Sequence, residues 1–135
     1  RPGALELLAE LREAGIPTAL VTMSIRRMAE HVSSFIPFTA FDHIIAGDSV
    51  THSKPHPEPY LRGAELLGVD AVRCIAIEDS TTGLASAVAA GSLAIGVPLH
   101  SPLEHGRGYT IWPTLAGRGI PDLSELLHSA RTDAS

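Results

Sequence analysis

Cysteine is almost missing: Cys74 is the single one in 135 residues, which excludes an internal disulfide framework. Basic charge is also short. Ten Lys and Arg against fifteen Asp and Glu give a net charge of -5, so no overall basic field draws nucleic acid or anionic lipid, and any anion must be held locally. No apolar run approaches the roughly 18 residues that span a bilayer, and the N-terminus lacks a charged-then-apolar signal pattern. A glycine-rich phosphate loop is missing in both its P-loop and dinucleotide forms. What is present, 44% hydrophobic and 19% charged residues, is the composition of a folded domain. A chain of this length builds one domain with its own core. The expectation is a soluble protein of a reducing compartment, the cytoplasm.

Four short apolar runs bounded by turn signals read as buried strands: Thr18 to Thr22, His43 to Ala46, Arg73 to Ile77 and Leu93 to Val97. Helical patterns alternate with them, Ala4 to Ala14, Ser24 to Ser34, Pro57 to Leu67 and Thr82 to Ala90, and three of these close on Gly15, Gly68 or Gly91. Continuous apolar strands alternating with helices predict an α/β fold, a Rossmann-like three-layer α/β/α arrangement around a parallel sheet. Residues 98–120, with Pro, Gly, His and Trp112 mixed and no period, read as a surface loop from His100 to Gly119, and Pro121 starts a last helix over Asp122 to Arg131.

Ligands of open parallel sheets bind at the carboxyl ends of the strands, and polar residues collect there. The first strand ends in Thr22, Met23 and Ser24; the third runs into Glu78, Asp79 and Ser80; Lys54 lies in the loop entering the third helix. Thr22 and Ser24 are equally suited to cap the next helix, whose first N–H groups also form an anion site. Lys54 alone reads as a solvated charge, but Pro55 and Pro57 stiffen its segment and hold an ammonium in one place. Glu78 and Asp79 directly follow a buried run, where unpaired charge is costly and a divalent cation relieves it. The small residues Gly83, Ala85, Ala87, Ala89 and Ala90 mark a helix that passes close to its neighbours. Asp42 and Asp48 read as structural, Asp48 with an outer role open to it. His52 and His56 have the i, i+4 spacing of a helical metal pair, but Pro55 and Pro57 bar a helix there and remove the basis for zinc. Cys74 reads as a small core residue within its strand.

In combination these segments resemble the haloacid dehalogenase-like hydrolases, in their phosphoglycolate phosphatase and β-phosphoglucomutase group. Val21-Thr22-Met23-Ser24 looks like the family's second motif, Lys54-Pro55-His56-Pro57 like its third, and Ile77-Glu78-Asp79-Ser80 with Gly83 like its fourth; the likeness runs from about Arg1 to Val97. The resemblance implies a Mg²⁺-dependent phosphatase acting on a small phosphorylated metabolite through an aspartyl-phosphate. Thr22, Met23, Ser24 and Lys54 would hold the phosphoryl group, Thr22 and Lys54 catalytically, and Asp79 with Glu78 would ligate Mg²⁺. A phosphomutase of the same group is the alternative, with Ser24 and Arg26 on a second phosphate, although a cap and a surface arginine are the simpler reading. A non-catalytic phosphate-binding or interaction module is another.

One departure stands against these agreements. The family's first motif, Asp-x-Asp on a central strand, is missing, as is the cap domain after it; no Asp-x-Asp occurs in the chain. In the family these aspartates are nucleophile and general acid/base. The missing strand would lie between the strands at Thr18 to Thr22 and Arg73 to Ile77, so those edges are expected either to be exposed or to pair with each other. The expectation is therefore the carboxyl-terminal part of a core domain over residues 1–135, inactive alone and completed by a preceding segment of the same protein.

Overall fold

The computed structural model describes residues 2–99, 102–104, 106 and 108–134, of the last four the backbone only. Arg1 and His100, at which the family likeness and the expected loop begin, lie outside the described residues. The elements in chain order are α1 (Ala4–Glu13), β1 (Ala19–Val21), α2 (Arg26–Ser33), β2 (His43–Ile45), α3 (Glu58–Leu67), β3 (Ile75–Glu78), α4 (Thr81–Ala89), β4 (Leu93–Gly96), β5 (Tyr109–Ile111) and α5 (Ile120–Ala134). Every strand pairing is parallel. No helix of the described residues is long and apolar enough to cross a membrane.

Strand alternation builds the layers. Ile75 and Ile77 of β3, with Ile95 and Val97 at β4, pack on Leu7 of α1 and Leu123 of α5, while Ala76 and Ala94, on the opposite face, pack on Leu84 and Ala87 of α4. Both faces of the parallel strands are thus covered, as the Rossmann-like reading requires. Helices α1, α3 and α4 are followed by Gly15, Gly68 and Gly91 at φ 71°, 76° and 87°, a region closed to most side chains.

The strands form two sheets among the described residues, β1–β2 and β3–β4–β5. The edges of β1 and β3 do not pair with each other, and no residue of either strand is exposed. Helix α3 spans the break: Gly63 lies against Val21 and Ile45 of the first sheet, and Tyr60 and Ala64 join the clusters over the second.

Two local readings are corrected. The segment expected as loop contains β5, which pairs with β4 from Ala94↔Tyr109 to Gly96↔Ile111 and leads into the buried Trp112. Tyr109–Ile111 has Thr110 at its centre and lies in no continuous apolar run, so its partner defines it. Cys74 is not inside a strand. Residues Ala71–Arg73 form a 3₁₀ turn, and Cys74 follows it half-buried, its Sγ 3.5 Å from the Asp70 carbonyl. Burial pushes the thiol's pKa up, with Asp70 adding to the effect, which keeps it protonated and unreactive.

Candidate functional site

The carboxyl ends of β1 and β3 face each other across the break, and one side chain bridges them. Lys54 Nζ donates to the Val21 carbonyl at 3.0 Å and to Glu78 Oε1 at 2.5 Å. The two side chains are 10% and 7% exposed, so this is a buried ion pair rather than the solvated lysine that composition alone suggests. The segment that carries Lys54 is tied to α4 and to Met23. Its Lys54–Pro55 peptide is cis, the His56 carbonyl accepts from the fully buried Ser86 Oγ of α4 at 2.7 Å, and Lys54 N–H points at Met23 Sδ, 3.5 Å away.

The remaining expected residues gather at this rim. Thr22 N–H continues the β1–β2 ladder to the Ile45 carbonyl, and Thr22 Oγ1 accepts from Ser24 N–H at 3.2 Å. The expected capping of α2 by Thr22 or Ser24 is not made, because Ile25 is the N-cap and offers no side-chain bond. Asp48 instead accepts from Arg26 N–H at 3.0 Å from a different segment, and Asp42 accepts from Thr18 N–H at 2.8 Å. Each acid thus accepts a backbone N–H from another segment. Gly47 closes the turn over Met23: its N–H donates to the Ser24 carbonyl at 2.8 Å, and a Cβ there would sit 2.3 Å from the Met23 carbonyl oxygen.

The two adjacent acids divide their roles by direction. Glu78 shares the Ala76 face and turns inward, where Lys54 and the Tyr60 hydroxyl both donate to its Oε1. The charge at this buried acid is met by protein groups at Oε1. Its other oxygen lies against α4, where a Cβ on Gly83 would be 2.0 Å from Oε2; the small-residue helix is small here to admit this carboxylate. Asp79, the next residue, is exposed at the rim. Ser80 caps α4, its Oγ accepting from Gly83 N–H at 3.0 Å. Tyr60 carries no sequence signal beyond its place on the inner face of α3; the period-2 step from Ala76 to Glu78 was the clue that this acid points toward it.

The prolines do not keep His52 and His56 apart. Their rings stack at 4.5 Å, and ligand atoms of His52, His56 and Glu58 lie within 4.8 Å of one another. Hydrogen bonds tie the same three residues into the loop. Glu58 accepts from the N–H groups of Thr51 and His52 and pairs with His52 Nδ1, and His56 Nδ1 accepts from Glu58 N–H. The group clamps residues 51–58 around Lys54. The Thr51 N–H and then His52 hold the Glu58 carboxyl below its ordinary value of 4.5. A depressed folded pKa contributes stability above the unfolded value and loses it as pH falls through the folded one. Acidification below 4.5 is therefore expected to release the loop, seen as collapse of the Thr51 and His52 amide shifts toward random-coil positions, and Glu58→Gln is expected to abolish the transition. Unchanged amide shifts to low pH would refute the clamp.

A family model described as haloacid dehalogenase-like hydrolase matches residues 1–91. Hexitol phosphatase A of Escherichia coli (strain K12) is 36% identical over 103 residues, 75% of this chain and 48% of the relative. Protein CbbY of Rhodobacter capsulatus is 37% identical over 130 residues, 91% of this chain and 53% of the relative. The crystal structure of CbbY from Rhodobacter sphaeroides in complex with phosphate superposes with a TM-score of 0.83 at 32% identity, covering 92% of this chain and 58% of that one. A variant of the same protein in complex with xylulose-(1,5)-bisphosphate gives 0.82 at 32%, covering 91% and 58%. The chain spans about half the length of the curated relatives it matches.

Proposed function

Because the chain belongs to the haloacid dehalogenase-like hydrolases, in their phosphatase and phosphomutase group, we propose that it is the phosphate-holding part of a phosphatase acting on a small phosphorylated metabolite. The observation that carries this reading is Lys54, whose ammonium spans the carboxyl ends of β1 and β3. An ammonium has three N–H donors. Two are used by Val21 and Glu78, and the third serves an oxygen of the phosphoryl group or of the attacking group. Thr22 supplies a hydroxyl donor from the other side of the break. Phosphoryl transfer asks mainly for positioning and charge stabilisation, which these groups provide.

The donor set suits Mg²⁺, a cation that takes one or two carboxylates and completes its shell with water and substrate oxygens. Asp79 would hold it at the rim, with Glu78 behind it, its Oε1 already given to Lys54 and Tyr60. When bound, the ion supplies positive charge to the phosphoryl oxygens. The nucleophile is proposed to be an aspartate on a strand inserted between β1 and β3, forming an aspartyl-phosphate. The unpaired facing edges of the two sheets support such a strand, and by this reading the 135 residues alone do not turn over.

Hydrolysis is favoured over mutase chemistry by Arg26. Its Nη2 donates to the Ile44 carbonyl at 2.6 Å, and Nη1 lies 3.6 Å from Glu30, which ties the guanidinium to β2 and its own helix. The relatives' names, a hexitol phosphatase and a protein crystallised with xylulose-(1,5)-bisphosphate, support a small phosphorylated metabolite as the substrate class.

The test is hydrolysis of 4-nitrophenyl phosphate with and without Mg²⁺, by the chain and by a fusion in which the part of hexitol phosphatase A outside the match is joined ahead of it. Mg²⁺-dependent turnover is expected from the fusion alone, and Asp79→Asn is expected to reduce it at least about a hundredfold. Turnover by the chain alone would contradict the missing-nucleophile reading. A fusion indifferent to Asp79→Asn would remove the metal site.

A further inference from the structure

Glu78 Oε1 serves two donors, and only one of them has a part in the chemistry proposed above. The second is Tyr60, a residue of α3 that joins Ala76, Leu84, Ala87 and Ala94 in the apolar layer over the second sheet. We propose that Tyr60 is a positioning residue for Lys54: by fixing Glu78, its hydroxyl holds the ammonium over the break between β1 and β3. The inference draws its purpose from the phosphatase reading, while its geometry stands without it.

A lysine and a glutamate alone join the ends of two flexible side chains, and ordering both carries an entropic cost that erodes such a pair. A phenol is different, since it has two torsions and here sits in packed apolar surroundings. It gives the carboxylate a donor whose position the core sets. The carboxylate is confined from the opposite side too, with Oε2 against the bare face of Gly83, where a Cβ would lie 2.0 Å away. Lys54 Nζ sits 5.3 Å from the Tyr60 ring centroid, within the range in which an aromatic face attracts a cation. The phenol's donor role is secure. An ordinary phenol titrates near about 10, so at neutral pH it is a donor.

Lys54 is the only lysine in the chain, so selective ¹³C labelling of lysine yields one ε-methylene signal that reports this ammonium alone. In the wild-type chain its order parameter is expected above about 0.8, the range of rigid groups, and in Tyr60→Phe below about 0.6. The substitution keeps the ring and removes only the hydroxyl. In the fusion, Tyr60→Phe is expected to lower kcat for 4-nitrophenyl phosphate about tenfold with KM within about twofold, the pattern of a displaced group rather than a lost binding contact. A purely structural tyrosine would change the urea midpoint and leave the Lys54 signal as it was. An unchanged order parameter in the variant, or a mobile Lys54 in the wild type, overturns the proposal, as does a freed Lys54 with unchanged kcat. Should the variant not fold, the wild type decides. A rigid Lys54 with Overhauser contacts from its ε-protons to the Tyr60 ring supports the proposal, and the lack of either defeats it. The order parameter involves neither substrate nor metal, so this inference and the phosphatase reading fail separately.

Discussion

Replacing Lys54 by methionine is expected to lower the free energy of unfolding by about 3 to 5 kcal/mol, read from urea titrations of the protein. Methionine keeps most of the stem's volume and removes the charge, so the loss isolates the ammonium. Glu78 would then remain in its enclosed position, 7% exposed, with the Tyr60 hydroxyl as the remaining side-chain donor to Oε1. An uncompensated buried carboxylate is far costlier than the loss of a surface pair. The Arg62–Glu65 bridge, with side chains 45% and 69% exposed, should cost under about 1 kcal/mol when broken. The double variant Lys54→Met with Glu78→Gln is expected to regain most of the loss, because an amide carbonyl still accepts from Tyr60 and no net charge is left in place. A coupling of about 2 kcal/mol or more would identify the pair as the origin. If Lys54→Met costs less than about 1 kcal/mol, the ammonium is solvated and the bridge between β1 and β3 is not made.

The same pair shows what was legible in the sequence and what was not. Lys54 could be singled out because prolines flank it on one side and a helix follows, and proline's fixed φ is a local property. Glu78 and Asp79 could be singled out because they end an apolar run. Their opposite fates could not, since they depend on what α3 and α4 bring to each face; the sequence suggested a cation to relieve both, and Lys54 with Tyr60 meets Glu78 first. The argument against a His52 and His56 pairing failed for a related reason. Excluding a helix excludes one route to proximity, and the loop closed by Glu58 supplies another. The three glycine-ended helices and four strands were readable because each has a period or a breaker of its own. Strand β5 lies in no apolar run, since Thr110 is its centre. It is three residues between Gly108 and Trp112, recognisable only by the Trp112 N–H reaching the Gly96 carbonyl at 2.9 Å and the ladder before it.

Trp112→Ala is expected to destabilise the protein by about 3 to 5 kcal/mol, the range for removing a buried large aromatic side chain. Its residue is 6% exposed and packs in one cluster with Leu7 of α1, Ile95 and Val97 at β4, Leu115, and Leu123 of α5. No other side chain in that cluster offers comparable bulk to fill the space, so the cavity term adds to the lost transfer term. The Arg118 guanidinium lies 4.3 Å from the ring centroid and 3.3 Å from Asp122 Oδ1; Arg118→Met, which removes both contacts, should cost under about 2 kcal/mol. The consequence reaches the rim through α1. That helix is anchored by Leu7 in this cluster and by Glu10, whose Oε1 accepts from Ile120 N–H at 2.9 Å, and it delivers the chain directly into β1 and Thr22. Loosening the cluster is therefore expected to lower amide protection in Ala19–Val21, remote from the substitution, as well as in α5. Trp112 is the single tryptophan, so wild-type fluorescence reports this core alone, and the variant must be followed by circular dichroism. If hydrogen exchange speeds up in α5 and β5 while β1 keeps its wild-type protection, the two sheets open independently, and α1 does not couple the C-terminal core to the site.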